Sequence, residues 1–152
     1  MPVMSLVIEA VDGVTDEVAQ ALIRLLPQLS RSADTPDRSA LESFATHPAI
    51  TVLVARIDGD IVGTLTLAIF PLLTGVRAWV EDVVVDESAR GGGVGAALTR
   101  EAIRLADEAG ARTVDLTSRP ERVAANRLYL NLGFEIRNSQ VFRYQPPVSA
   151  DS

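Results

Sequence analysis

The chain has 152 residues, of which 47% are hydrophobic and 22% charged, a composition typical of one well-packed globular domain. Its formal net charge of −6 argues against a nucleic-acid backbone or an anionic membrane as the main partner, because both require concentrated positive charge. The absence of cysteine excludes disulfides, thiolate metal sites and a cysteine nucleophile.

The N-terminal part predicts one strand and two helices. The apolar run Ser5 to Val11 predicts the strand. Thr15 is placed as the N-cap of a helix whose apolar residues recur at helical spacing and which is expected to end near Pro27. A polar loop, Ser30 to Asp37, separates it from a short helix predicted over Ser39 to Thr46.

The single histidine, His47, stands directly before Pro48, which disfavours helical backbone at the preceding residue. We interpret it as a polar loop residue that ends the short helix. A serine-histidine-acid triad would have to use this histidine, and no nucleophile-elbow motif accompanies it. No cluster of metal ligands is found in the sequence, so no metal is expected.

Three strands are predicted next. Ile50 to Ile57 and Ile61 to Phe70 are rich in β-branched residues and flank Asp58-Gly59-Asp60, which is a hairpin signal. Pro71 is expected to break the second of these strands. The third, Arg77 to Val85, is too apolar at its end to be an exposed edge.

The C-terminal part begins with a long amphipathic helix that Gly110 is expected to end. A strand over Thr113 to Thr117 and a helix over Arg122 to Leu132 follow. Glu135 to Ile136 and Val141 to Tyr144 suggest a final hairpin. This order of elements implies one mixed α+β domain with a parallel crossover around the long helix. The domain is expected to cover residues 1–145, with a disordered tail over 146–152.

A glycine-rich loop, Arg90 to Gly95, lies between the third strand of the central group and the long helix. Three consecutive glycines leave backbone N–H groups uncovered, and the helix dipole adds partial positive charge, which together form an anion site suited to a pyrophosphate. Arg90 could add charge or brace the loop. The alternative is a glycine connector that binds nothing.

A dinucleotide site is a second alternative. Gly91-x-Gly93-x-x-Ala96 fits the dinucleotide fingerprint, and Asp115 lies at about the right distance to hold a ribose. Against it, five residues, Asp86 to Arg90, separate the strand from the first glycine, where that fold needs a tight turn. The loop also follows antiparallel strands, and too few residues remain for the second half of such a site.

Two blocks of sequence carry a family resemblance. The first joins Glu81-Asp82-Val83-Val84-Val85 to Arg90-Gly91-Gly92-Gly93-Val94-Gly95, and the second runs from Asn126 through Tyr129 to Phe134. Their spacing and order resemble the GNAT superfamily of N-acetyltransferases, whose signature Arg/Gln-x-x-Gly-x-Gly/Ala is met by Arg90, Gly93 and Gly95. The resemblance covers roughly Arg77 to Tyr144. It implies a central mixed, mostly antiparallel sheet of six to seven strands flanked by about four helices.

The resemblance also implies that acetyl-CoA is the co-substrate. Backbone groups of Val83 and Val85, with Val84 between them, would pair with the pantetheine arm as if it were another strand. The N–H groups of Gly91 to Ala96, Val94 among them, would hold the pyrophosphate, and Asn126 would bond the pantetheine or its neighbouring backbone. The family often has a bulge in the strand that holds Glu81 to Val85, which admits the thioester.

The expected chemistry is direct attack of a primary amine on the thioester. Glu81 matches the position of the base in some family members, with Asp82 as the second candidate, and the alternative for each is a solvated or salt-bridged strand residue. The Val83 N–H could polarise the carbonyl oxygen. Tyr129 resembles the family's proton donor to the departing thiolate, and its alternative is a core aromatic.

The acceptor is expected to be a small-molecule or peptide amine. Trp79 and Phe70 would either line its pocket or belong to the core. The non-enzymatic alternative is an acyl-CoA-binding or sensing module. No apolar segment approaches the length of about 18 residues that spans a membrane, and no signal peptide precedes the first strand, so a cytoplasmic protein is expected, with a homodimer as a possible assembly.

Overall fold

The computed structural model describes residues 5–148, which form four helices and five strands. The strands are β1 Leu6–Ala10, β2 Ile50–Ile57, β3 Asp60–Leu72, β4 Gly75–Val85 and β5 Thr113–Asp115. The helices are α1 Asp16–Leu29, α2 Arg38–Ala45, α3 Val94–Glu108 and α4 Val123–Asn131. None of these helices is long and apolar enough to cross a membrane.

The five strands form one sheet in the order β1-β2-β3-β4-β5. Each neighbouring pair among β1 to β4 is antiparallel, whereas β5 runs parallel to β4. The parallel step is the crossover through α3, as the order of elements predicted. The α+β class, the four helices and the mixed, mostly antiparallel sheet are therefore confirmed.

The number of strands is lower than the six to seven expected, because the predicted C-terminal hairpin does not form within the described residues. Neither Glu135 to Ile136 nor Val141 to Tyr144 is in a strand. The side chains of Ile136 and Phe142 are 86% and 88% exposed. Two short runs without a core face to pack against gain too little from pairing to hold a hairpin together.

The helix end predicted near Pro27 lies two residues from the observed end, whereas the strand break predicted at Pro71 is wrong. Pro27 lies inside α1, which continues to Leu29 because that residue packs against the core. Pro71 lies inside β3, opposite Val76. The pairing of β3 with β2 ends at Ala68, so β3 has a neighbour on only one side at Pro71, and a missing N–H is tolerated there.

The sheet has a separate core on each face. The face under α1 and α2 carries Val52 and Val54 of β2, whereas the face under α3 carries Leu53 of the same strand. The second face is filled by fully buried side chains, Leu53, Leu65, Leu67 and Leu98. This packing fixes the start of α3, and therefore the glycine loop, at the end of β4.

Candidate active site

The edge between β3 and β4 contains a bulge. Thr64 pairs with Val84 and Thr66 pairs with Glu81, so a single β3 residue faces two β4 residues. Within the bulge Asp82 has a φ of 51°, in the left-handed region that non-glycine residues rarely adopt. The bulge expected from the family resemblance is therefore present, and Asp82 is at its strained position.

The bulge reverses which side chains of β4 point to each face of the sheet. Before it, Ala78 and Val80 are buried under α3, whereas Val84, after it, is buried under α1 and α2. Val83 and Val85 pack towards α3 instead. The side chain of Val84 thus belongs to the core, which leaves only its backbone for the binding role predicted for it.

Beyond the bulge, β4 has no neighbouring strand on its β5 side within the described residues. The parallel pairing with β5 includes only three residues of β4, Arg77, Ala78 and Trp79. The segment from Glu81 to Val85 therefore borders an opening between the two strands. Such an unpaired strand edge can accept an extended chain through main-chain hydrogen bonds.

The glycine loop follows directly after this edge. A 3-10 turn, Glu87–Ala89, leads into it, and Gly91 and Gly93 have φ values of 85° and 82°. Gly93 is the N-cap of α3, and no side chain in the described part of the chain caps the N–H groups of the first turn. A Cβ built on Gly91 or Gly93 would meet nothing within 4 Å, so the space above the loop is open. Uncovered N–H groups at the positive end of a 15-residue helix form an anion site.

Arg90 braces the loop. Its Nε donates a hydrogen bond of 3.2 Å to the backbone oxygen of Val85. This contact favours the bracing role considered from the sequence, and it engages one backbone acceptor of the β4 edge. Of the residues predicted from the sequence, Arg90 and Val85 are brought into direct contact.

A cavity beside the loop does not suit a phosphate. This cavity of about 490 Å³ is lined by Arg90, Gly91 and Gly92, but also by two carboxylates, Asp58 and Asp60. Two acidic side chains oppose a negatively charged ligand. The N–H side of the loop, at the start of α3, is therefore the better anion site.

Gly95 lies where α3 approaches α4. A Cβ at this position would be 3.5 Å from Leu128 Cδ1 and 3.9 Å from Val85 Cγ2. The first turn of α3 thus lies between the end of β4 and α4. The hydroxyl of Thr99, which is fully buried, donates to the Gly95 oxygen at 2.7 Å and completes this turn.

Glu81 is exposed and forms no ion pair within the described residues. Its Oε1 accepts a hydrogen bond of 2.5 Å from Nε1 of Trp79, which is the single tryptophan of the chain. The salt-bridged alternative for Glu81 is therefore not what the structure shows. Because Asp82 is the extra residue of the bulge, strand alternation does not fix the direction of its side chain.

Tyr129 is partly buried on α4. Its ring meets the Phe134 ring edge-on, with centroids 5.8 Å apart. Burial raises the pKa of the Tyr129 phenol above its ordinary value, and the nearby positive charge of Arg122 lowers it by a smaller amount. The phenol is therefore kept in its protonated form, as a proton donor must be.

Two polar groups of interest lie in the first turns of α4 and in the loop that precedes it. Asn126 Nδ2 donates a hydrogen bond of 3.0 Å to the Arg119 oxygen, so this side chain supports the neighbouring backbone. The hydroxyl of Ser118 is buried and has no hydrogen-bond partner among residues 5–148. Sequence reasoning missed Ser118, because a serine in a loop after a short strand carries no signal of its own.

Asp115 is not free to hold a ribose. Its register partner on β4 is Trp79, and its Oδ2 lies 3.6 Å from Nε of Arg77. The 3-10 turn before the glycines also leaves no tight turn after the strand. Both observations disfavour the dinucleotide alternative. Within residues 5–148 no group of three or more acidic or histidine side chains could hold a metal ion.

Comparison with known proteins gives one family. Residues 16–134 match the model of the acetyltransferase (GNAT) family. The L-amino acid N-acetyltransferase AaaT of Escherichia coli (strain K12) is 36% identical over 101 residues, which are 64% of this chain and 61% of that protein. The matched region therefore spans less than two thirds of this relative's length.

Solved structures show the same fold. A putative acetyltransferase from Agrobacterium tumefaciens str. C58 superposes with a TM-score of 0.78 at 28% identity, covering 93% of this chain and 99% of that one. The aminoglycoside N-acetyltransferase AAC(6')-Iy, solved in complex with CoA, gives a TM-score of 0.77 at 20% identity over 95% and 97% of the two chains. At that identity the second likeness shows the fold alone.

Proposed function

Since the chain belongs to the GNAT acetyltransferase family, we propose that it transfers the acetyl group of acetyl-CoA to a primary amine by direct attack in a ternary complex. The observation that carries the proposal is the position of two binding features in one stretch of chain. Five residues separate the unpaired edge of β4, Glu81 to Val85, from the glycines at 91–93. Acetyl-CoA offers one matching group to each, an extended amide-containing arm and a pyrophosphate.

The residues present fit this ligand. Main-chain groups at the β4 edge can bond the pantetheine amides, as in strand addition. The N–H groups from Gly91 to Ala96 can hold the pyrophosphate at the start of α3. A Cβ at Gly93 would stand in the open space that the phosphate needs. The match of residues 16–134 to the acetyltransferase (GNAT) family supports the same choice of ligand.

The reaction needs no covalent enzyme intermediate. The amine nitrogen attacks the thioester carbonyl carbon, a C–N bond forms, the C–S bond breaks, and the sulfur leaves with its electron pair. Glu81 takes the proton that the incoming amine loses, and Tyr129 supplies a proton to the thiolate. The products are an acetamide and CoA. The chain has no cysteine that could carry the acetyl group.

The first acceptors to test are the α-amino groups of L-amino acids. This choice is supported by the 36% identity to the L-amino acid N-acetyltransferase. Amino sugars, aminoglycosides, polyamines and peptides with free amines complete the panel. A fold shared with an aminoglycoside enzyme at 20% identity does not select among them.

The test is release of free CoA thiol when protein and acetyl-CoA are incubated with each amine, together with mass detection of the acetylated amine. We expect one amine class to give release that depends on both amine and protein, with equal amounts of CoA and acetamide. Binding of acetyl-CoA without amine-dependent release for any class would contradict the proposal. That result would favour the acyl-CoA-binding module instead.

A further inference from the structure

A hydrogen bond between Trp79 and Glu81 joins the proposed base to a neighbouring side chain. The indole N–H of Trp79 donates to Oε1 of Glu81 at 2.5 Å. Within residues 5–148 no second side chain bonds this carboxylate. The contact therefore occupies one carboxylate oxygen and leaves Oε2 without a protein partner.

Both side chains lie on the same face of the sheet. They are two residues apart on β4, and their partners on β3, Ala68 and Thr66, are also two residues apart. Asp115 of β5 stands beside Trp79 on the other side. The pairing on both sides fixes the backbone at Trp79, whereas Glu81 borders the opening and has a strand partner only on its β3 side.

The two residues thus differ in how firmly they are held. Trp79 is partly buried, and an indole has only two side-chain torsions, so its N–H has a fixed direction. Glu81 is exposed on a flexible side chain next to the bulge. A rigid donor beside a mobile carboxylate is the arrangement by which a base is oriented by a third group.

We propose that Trp79 is a positioning residue for Glu81. Its indole N–H holds Oε1 and turns Oε2 towards the opening between β4 and β5, where the amine must lie to reach the thioester. The inference rests on the proposed role of Glu81 as base. It gives Trp79 a part in the reaction that goes beyond lining the acceptor pocket or filling the core.

The charged groups on this face do not supply the same contact. Nε of Arg77 lies 3.6 Å from Oδ2 of Asp115, so Arg77 forms an ion pair with Asp115 and not with Glu81. Asp115 in turn accepts a hydrogen bond of 3.0 Å from the Thr113 hydroxyl. The indole N–H of Trp79 is the donor within reach of Glu81.

The first measurement tests the contact itself, without any catalysis. Because Trp79 is the single tryptophan, all tryptophan emission of the protein comes from this ring. Glu81→Ala removes the acceptor, so we expect a changed emission maximum or intensity, whereas Asp82→Ala should leave the emission as in the wild type. Identical emission from wild type and Glu81→Ala would overturn the proposal.

The second measurement is a double-mutant cycle on turnover. Trp79→Phe keeps an aromatic ring and removes the N–H, and misplacement of the base should lower kcat roughly tenfold with acetyl-CoA affinity unchanged. In the Glu81→Gln background the same change should lower kcat no further, because a residue that acts through Glu81 has nothing left to orient.

The outcomes separate this inference from the proposed function. An equal loss from Trp79→Phe in both backgrounds means that Trp79 contributes independently of Glu81, and overturns the positioning role alone. Wild-type turnover in Glu81→Gln removes Glu81 as the base and the positioning role with it. If Trp79→Phe does not fold, the emission of wild type and Glu81→Ala still decides whether the contact exists.

Discussion

At the scale of single residues, the assignment of Glu81 as the base can be tested by one isosteric change. Glu81→Gln keeps the shape and the acceptor for Trp79 but cannot take a proton. We expect turnover about 100-fold lower near neutral pH, a typical contribution of general base catalysis, with partial recovery at high pH, where free amine is abundant. The pH dependence of kcat is the measurement.

Asp82→Asn is the matched control for this change. Asp82 is the adjacent carboxylate, and it is also exposed. Its turnover is expected to stay near that of the wild type. If turnover is slow in Asp82→Asn and normal in Glu81→Gln, the carboxylate that faces the amine is that of Asp82.

The proton donor is tested by Tyr129→Phe, which removes only the hydroxyl and keeps the edge-on contact with Phe134. We expect a kcat lower by about tenfold with unchanged acetyl-CoA affinity, the pattern of a group that acts in the transition state. If only the melting temperature changes, and only in Tyr129→Ala, the residue is a core aromatic.

The pH dependence of the Tyr129 contribution has a definite sign. Burial raises the pKa of the phenol above 10.0, so the group remains protonated as pH rises through 7 to 9. The ratio of wild-type to Tyr129→Phe turnover should therefore be constant over that range. If this ratio instead decreases towards one as the pH rises from 7 to 9, the phenol loses its proton within that range and cannot act as the donor.

At the scale of elements, the glycine loop and α3 offer a matched pair of variants. Gly93 and Gly110 flank the two ends of the helix, with φ values of 82° and 79°, and a Cβ would meet nothing within 4 Å at either. The backbone at both positions is left-handed, which is unfavourable for valine. Either substitution should therefore lower the free energy of unfolding by about 1–2 kcal/mol. Only Gly93→Val should abolish CoA binding by calorimetry, because its side chain would fill the phosphate space. Equal affinities in the two variants would place the pyrophosphate elsewhere.

Several elements could be predicted from local sequence because their signals are local. Ile50–Ile57 was predicted with its observed limits from β-branched residues and the Asp58-Gly59-Asp60 turn. Thr15 caps α1 as predicted, since its hydroxyl accepts from the Val18 N–H at 3.2 Å. The effect of Pro71 could not be predicted this way. Whether Pro71 interrupts a strand depends on whether a neighbour needs its N–H, which is a property of the sheet and not of the local sequence.

The site likewise contains some features that local sequence predicts and others that depend on the folded sheet. The glycine loop and its anion-binding geometry follow from consecutive glycines before an amphipathic helix. The Trp79–Glu81 contact and the burial of Ser118 depend on strand register and on how the β5–α4 loop folds back, which no local pattern encodes. The bulge was expected from the family resemblance alone, because its strained residue is an aspartate and not a glycine.

At the scale of the whole molecule, the domain limit at residue 145 gives a simple prediction. Pro146 to Val148, the last residues that the structure describes, are exposed and without regular structure, so a chain that ends at Gln145 loses none of the described packing. Its melting temperature should stay within about 2 °C of the full chain, a shift that corresponds to well under 1 kcal/mol. A chain that ends at Gly133, which also removes the Phe134 ring from Tyr129, serves as the destabilised control. A large loss of stability in the chain that ends at Gln145 would show that the domain extends beyond residue 145.

The most direct test of the central claim is the kinetic pattern with two substrates. Initial rates are measured at several acetyl-CoA concentrations for each of several concentrations of an accepted amine. Direct attack in a ternary complex predicts reciprocal plots that intersect, since both substrates must be bound before either product leaves. Parallel lines, together with an acetylated protein detected by mass spectrometry in the absence of amine, would show a covalent intermediate and contradict the account.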